Sequence, residues 1–112
     1  MERVSLINTR VFKCVRNEQV TLQFNPRNTS LRVTYRLSNE ISSHVVQGDT
    51  LTLTINRDLM EYRVFFHFIN ESGTGGSYQI SLSGSNGGNF TDDPAVLQAG
   101  DLVPVRTYTF FV

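Results

Sequence analysis

Tryptophan is absent from this 112-residue chain, cysteine and lysine occur once each, histidine twice and proline three times. Each shortage excludes something. A single cysteine, Cys14, rules out an intramolecular disulfide and any cysteine-built zinc site. It lies among Val11, Phe12 and Val15, so it reads as a small buried hydrophobe. With only His44 and His67, the clustered histidines of a cupin-type metal centre are missing, and acid–base chemistry near neutral pH has few carriers. Neither glycine cluster, GTGGS at 73–77 nor GSNGG at 84–88, matches the Gly-x-Ser-x-Gly nucleophile turn. Both glycine clusters feed strands or irregular chain rather than a helix, so a phosphate cradle is not expected either. We expect a protein that is not an enzyme.

No run approaches the ~20 apolar residues of a membrane-spanning helix. The first residues, MERVSLINTR, hold no apolar core of a signal peptide, so the sequence points to no compartment. Ten basic and ten acidic residues leave no net charge, which argues against nucleic acid as a partner and against polybasic membrane attachment. Nine of the ten basic residues are arginine. That bias suits recognition of carboxylates or phosphates, and it equally suits the codon usage of a GC-rich genome. Three Asn-x-Ser/Thr sequons begin at Asn28, Asn70 and Asn89. Chance predicts about two in a chain of this composition, so they carry no message about secretion.

What is present is alternation. Val20, Leu22 and Phe24, then Leu31 to Leu37, then Leu51, Leu53 and Ile55 each place apolar residues two apart. The densest stretch runs from Tyr62 to Gly88. Tyr62, Val64, Phe66 and Phe68 line one face, and Arg63, Phe65, His67 and Ile69 the other. Such a strand belongs in the middle of a sheet, covered on both sides. A turn at Asn70–Gly76 followed by Tyr78, Ile80 and Leu82 reads as the second arm of a hairpin. NPRNTS (25–30) and Gln47-Gly48-Asp49 read as turns. A single helical turn at Asp58–Tyr62 or Pro94–Gln98 is the most helix the pattern allows. The expectation is one all-β domain over residues 1–112. It is an antiparallel two-sheet β-sandwich of eight to nine short strands, Ig-like or jelly-roll in topology.

Candidate binding residues concentrate in the 18-residue segment Gly84–Asp101, longer than most connections in a compact domain. Asn86, Asn89, Phe90, Asp92 and Asp93, with Asn70 and Glu71 across the presumed hairpin, form the expected ligand-binding set. Asp92, Asp93 and Asp101 supply oxygen ligands of the kind calcium takes, although no calcium-loop spacing accompanies them. Phe90 is either an exposed ligand contact or a plug for the open end of the sandwich. Arg32 and Arg36 point the same way, and Arg63 or Arg106 is placed to join them. They face either an acidic partner or cross-strand carboxylates such as Glu18, Glu40 and Glu61. The chain ends on Thr109-Phe110-Phe111-Val112, too apolar for an open edge, so this strand is either interior or the seam of a homo-oligomer. The leading functional expectation is a binding module for a glycan or protein ligand read through loops. The alternative is a structural subunit that self-assembles through edge strands.

Overall fold

The computed structural model describes residues 1–4, 10–69, 75–97 and 104–112, and shows strands with no helix among them. The strands are β1 (Glu2–Arg3), β2 (Val11–Lys13), β3 (Glu18–Arg27), β4 (Val33–Leu37), β5 (His44–Val45), β6 (Thr50–Ile55), β7 (Leu59–Phe66), β8 (Gly76–Gly84), β9 (Asn89–Thr91), β10 (Ala95–Leu97) and β11 (Val105–Phe111). They form two packed sheets. One has the order β1-β2-β11-β7-β4-β5; the other runs β10-β8-β3-β6, with β9 also paired to β8.

The alternation read from the sequence is what fills the space between the sheets. Met60, Tyr62, Val64 and Phe66 of β7, with Tyr108 and Phe110 of β11, face Val20, Leu22 and Phe24 of β3 and Tyr78, Ile80 and Leu82 of β8. Their rings meet across the gap: Phe24 lies 6.1 Å from Phe66, and Phe66 lies 5.5 Å from Tyr78. Burial of each such side chain contributes roughly 1.5–3 kcal/mol.

Several expectations need correction. β7 and β8 are not a hairpin: β7 pairs with β11 and β4, while β8 pairs with β3 in the other sheet. Two successive strands, each apolar on one face, can pair edge to edge or stack face to face, and the pattern is the same for both. β7 is central in its sheet, but Arg63 on its outer face is exposed, so it is covered on one side only. One pairing is parallel, β11 with β2. Among the described residues the strands number eleven, because Gly84–Asp101 is not one loop: β9 and β10 fold back along β8. Leu59–Tyr62 and Ala95–Leu97 are strand, not helical turns.

Pro26 lies within β3 rather than in a turn, and the backbone explains why this is tolerated. The Phe24 amide donates to Asp49 O on the β6 side, so the position of Pro26 two residues on faces the same way. Pairing with β6 ends at Gln23 opposite Thr50, so the missing amide falls where no strand follows. The turn comes later, at Asn28, with φ of 58°.

The C-terminal strand is interior. β11 pairs with β7 from Val105 to Phe111 and with β2 over Thr109–Phe111. Its apolar end, Thr109–Phe111, is thus paired on both sides within one chain, the interior one of the two expected placements.

Candidate binding surfaces

The expected loop site separates into parts with different fates. Strand parity sends Phe90 and Asp92 inward and leaves Asn89, Thr91 and Asp93 exposed. Phe90 packs on the core, its ring 5.4 Å from Phe12, with the Arg3 guanidinium 4.7 Å above it. It is a plug with a cation seated over it.

Asp92 is buried, and its carboxylate is surrounded by donors. Arg10 Nε lies 2.6 Å from Oδ2, Tyr108 OH donates to the same oxygen at 2.6 Å, and Arg106 Nη1 approaches to 3.1 Å. The Asp93 amide donates to Oδ1 at 2.8 Å, and Gln79 Nε2 donates to the Asp92 carbonyl at 2.6 Å. Burial on its own would raise the carboxyl pKa. The hydrogen bonds from Arg10 and Tyr108 and the charge of Arg106 outweigh it and hold the group below the usual carboxylate range. The hydrogen bond to Asp92 raises the Arg10 pKa, and burial first, then Asp92, pushes the Tyr108 phenol upward. These groups are locked in single protonation states near neutral pH, which suits a clip between the sheets and not proton transfer.

Two guanidinium groups stand where a cation at Asp92 would have to sit, so calcium has no place on this carboxylate. Among the described residues, no three His, Cys, Asp or Glu side chains cluster to hold a metal. Asp101, Asn70 and Glu71, also expected at the site, lie outside the described residues. The Asp92 cluster was missed from the sequence, although a signal existed: Arg106 shares inward parity with Tyr108 and Phe110. An inward arginine requires a buried carboxylate. Arg106 therefore faces away from Arg32 and Arg36 and does not join them.

At one end of the sandwich, β8 turns into β9 through Gly84–Gly88, where Gly87 and Gly88 take φ of 97° and 91°. A cleft of about 340 Å³ opens here, lined by Lys13, Cys14, Val15, Glu18, Asn86 and Gly87. Its floor is Glu18, buried at 3% exposure and bound by the Val15 amide at 3.0 Å, the Asn86 amide at 3.1 Å and the Met1 ammonium at 2.6 Å. Burial opposes ionisation of Glu18, but these donors lower its pKa overall. Cys14, beside it, has its thiol pushed up to about 11, chiefly by burial, and is poorly suited to act as a nucleophile. The Asn86 side chain is exposed.

The two outer faces differ in chemistry. On the six-stranded sheet, Arg36 stands directly opposite Arg63, and the Arg32 carbonyl accepts the His67 amide. None of Arg32, Arg36 and Arg63 forms an ion pair among the described residues. The carboxylates expected to neutralise them are engaged elsewhere: Glu18 as above, Glu40 with His44 at 3.3 Å, and Glu61 with Ser38 at 2.6 Å. Arg36 instead donates to the carbonyls of Leu37, Ser38 and Glu40, and its guanidinium lies 5.7 Å from the Phe65 ring.

On the five-stranded sheet, register aligns two rows across the outer face: Asn89–Ser83–Thr21–Thr52 and Thr91–Ser81–Gln23–Thr50. Every member is an uncharged hydroxyl or amide. Thr50 Oγ1 donates to Gln23 Oε1 at 2.9 Å, and Thr21 and Thr52 hydroxyls lie 3.5 Å apart. A depression of about 350 Å³, lined by Asn25, Pro26, Arg27, Ser77, Gln79 and Pro94, continues this face.

No protein-family model matches the chain, and neither a curated protein nor a solved structure matches it.

Proposed function

We propose that this chain is a non-enzymatic recognition module, and that its ligand is a glycan read by the neutral face of the five-stranded sheet together with the adjoining Asn86–Asn89 turn. The observation that carries this reading is the pair of aligned hydroxyl and amide rows. They present donors and acceptors at the strand spacing of about 4.8 Å and the same-face repeat of about 6.7 Å. A polyol ligand has the matching chemistry and no charge to neutralise. A protein ligand fits this face less well, because the side chains that anchor protein interfaces (Tyr, Trp, Arg and Met) are missing from both rows. With no tryptophan to stack on a sugar ring, contact is led by hydrogen bonds, and affinity per site is modest.

The buried ionisable groups support a non-catalytic role. Asp92, Tyr108 and Glu18 are all engaged in structural bonds. The test is an amide-detected titration against a set of neutral oligosaccharides. Shifts should centre on Thr21, Gln23, Thr52 and Asn89. The double substitution Gln23→Ala with Asn89→Ala should weaken binding at least about tenfold, since two lost hydrogen bonds exceed 1.4 kcal/mol. Binding that maps to the arginine face and requires an acidic ligand would replace the glycan with an acidic protein or polyanion.

A further inference from the structure

Strand β6 has a neighbour on one side only, and it is the longest such strand among the described residues. Its sequence, TLTLTI, contains no charge and no proline, and all six residues pair in unbroken register with β3. The direction of its free backbone groups follows from its bonded ones. The carbonyls of Asp49 and Ile55 accept the amides of Phe24 and Asn17, so odd-numbered residues face β3. The N–H and C=O groups of Thr50, Thr52 and Thr54 therefore point outward. Of these, only Thr54 O has a backbone partner among the described residues, the Asn56 amide at 3.1 Å. Edge strands of folded proteins ordinarily carry lysine, proline or a bulge that blocks further pairing. β6 carries none of them.

We propose that β6 is the edge through which two copies of this chain pair, antiparallel about a two-fold axis at Thr52, so that two five-stranded sheets become one. In this register Thr52 meets Thr52 of the second copy, and Thr50 meets Thr54. The outward amides and carbonyls then find reciprocal partners. Three features favour a second copy as the occupant. The segment is neutral, so identical edges do not repel. Thr50, Thr52 and Thr54 share the outer face, so the seam forms cross-strand threonine pairs, which are favourable. Asp49 and Arg57 flank β6 at opposite ends, both exposed, and Arg57 forms no ion pair among the described residues. Antiparallel pairing brings each Asp49 toward Arg57 of the other copy, twice per dimer. A slip of one residue would turn the threonines to the wrong face, so the register is specified.

The inference does not rest on the glycan reading: pairing uses the backbone edge of β6, and glycan titration of an Arg57→Asp variant, which weakens pairing at a residue outside both polar rows, tests the other claim separately. The experiment is sedimentation equilibrium of the full chain from about 1 μM to 1 mM, with amide exchange measured at both ends of the range. The expected result is a concentration-dependent dimer of twice 12.7 kDa, with slower exchange at Thr50, Thr52 and Thr54 in the dimer. Thr52→Pro removes an amide that faces solvent in the monomer, so it should abolish the dimer with the fold intact by circular dichroism. Should that variant unfold, Thr52→Lys sets like charges on the axis and should raise the dissociation constant at least about tenfold. Asp49→Arg should weaken pairing, and Asp49→Arg with Arg57→Asp should restore it. A monomer at every concentration overturns the proposal, as does a dimer indifferent to Thr52→Lys or an edge that pairs only with an added peptide.

Discussion

Replacing Asp92 with asparagine removes the charge that two arginines share while keeping the side chain's size. Asp92 exposes 3% of its side chain, Arg106 13% and Arg10 26%, so the three charges are largely, though unequally, withdrawn from water. Breaking a buried pair by neutralising one partner typically costs about 3–5 kcal/mol, because the other charge stays buried without compensation. The partial exposure of Arg10 places the expected loss near the lower end, about 3 kcal/mol. Against a total stability of about 5–15 kcal/mol for a domain of this kind, that is a large fraction. With a urea m-value of about 1.5 kcal/mol/M, the unfolding midpoint should fall by about 2 M, read by circular dichroism or tyrosine fluorescence.

pH supplies an independent check. The Asp92 pKa is lowered in the folded state, so its contribution is present above the unfolded value of about 4 and is lost as pH falls through the folded value. The gap between wild type and Asp92→Asn should therefore be full at neutral pH and shrink below about pH 4. Tyr108→Phe removes one donor and should cost about 1–2 kcal/mol, less than additively with Asp92→Asn. A loss under about 0.5 kcal/mol for Asp92→Asn, or a gap that does not change with acid, would refute the clip.

Cys14 should resist a thiol reagent at pH 8 in the folded protein and react at once in 6 M guanidinium, since burial holds the thiol protonated; rapid labelling of the native state would contradict its placement. Gly84→Ala should destabilise by about 1–3 kcal/mol, because a Cβ there would clash with Glu18 Oε2 and lie 2.9 Å from Gly87 O. An unchanged melting midpoint for that variant would mean that the turn at this end of the sandwich adapts freely.

The course from residues to structure explains which of these features were legible. The strand interiors were. Residues of β6 alternate strictly between exposed and buried, and those of β7 nearly so, because side-chain direction in a strand has a period of two set by local geometry alone. For Phe90, an apolar residue in a polar segment left ligand contact and plug both open, and its packing on Phe12 decided for the plug. Asp92 did not, since beside Asp93 and Pro94 it has the composition of a turn or a calcium loop. Only the parity it shares with Phe90 sends it toward Arg106 and Tyr108. Its other partner, Arg10, is 82 positions away in sequence.

Composition and alternation determined on their own that the chain would be an all-β sandwich and, apart from the outer face of β7, which faces would be buried. They also determined that few groups would be available for acid–base chemistry. Tertiary structure decided the rest: that β7 and β8 stack across the core instead of pairing, and that β11 is interior while β6 is an edge. It also decided that Arg36 meets Arg63 and that Asp92 meets Arg10. The physical reason is range. Burial alternation is written by each residue and its immediate neighbours, whereas strand partners are chosen by competition among edges far apart in the chain, and that choice leaves no mark on the local pattern.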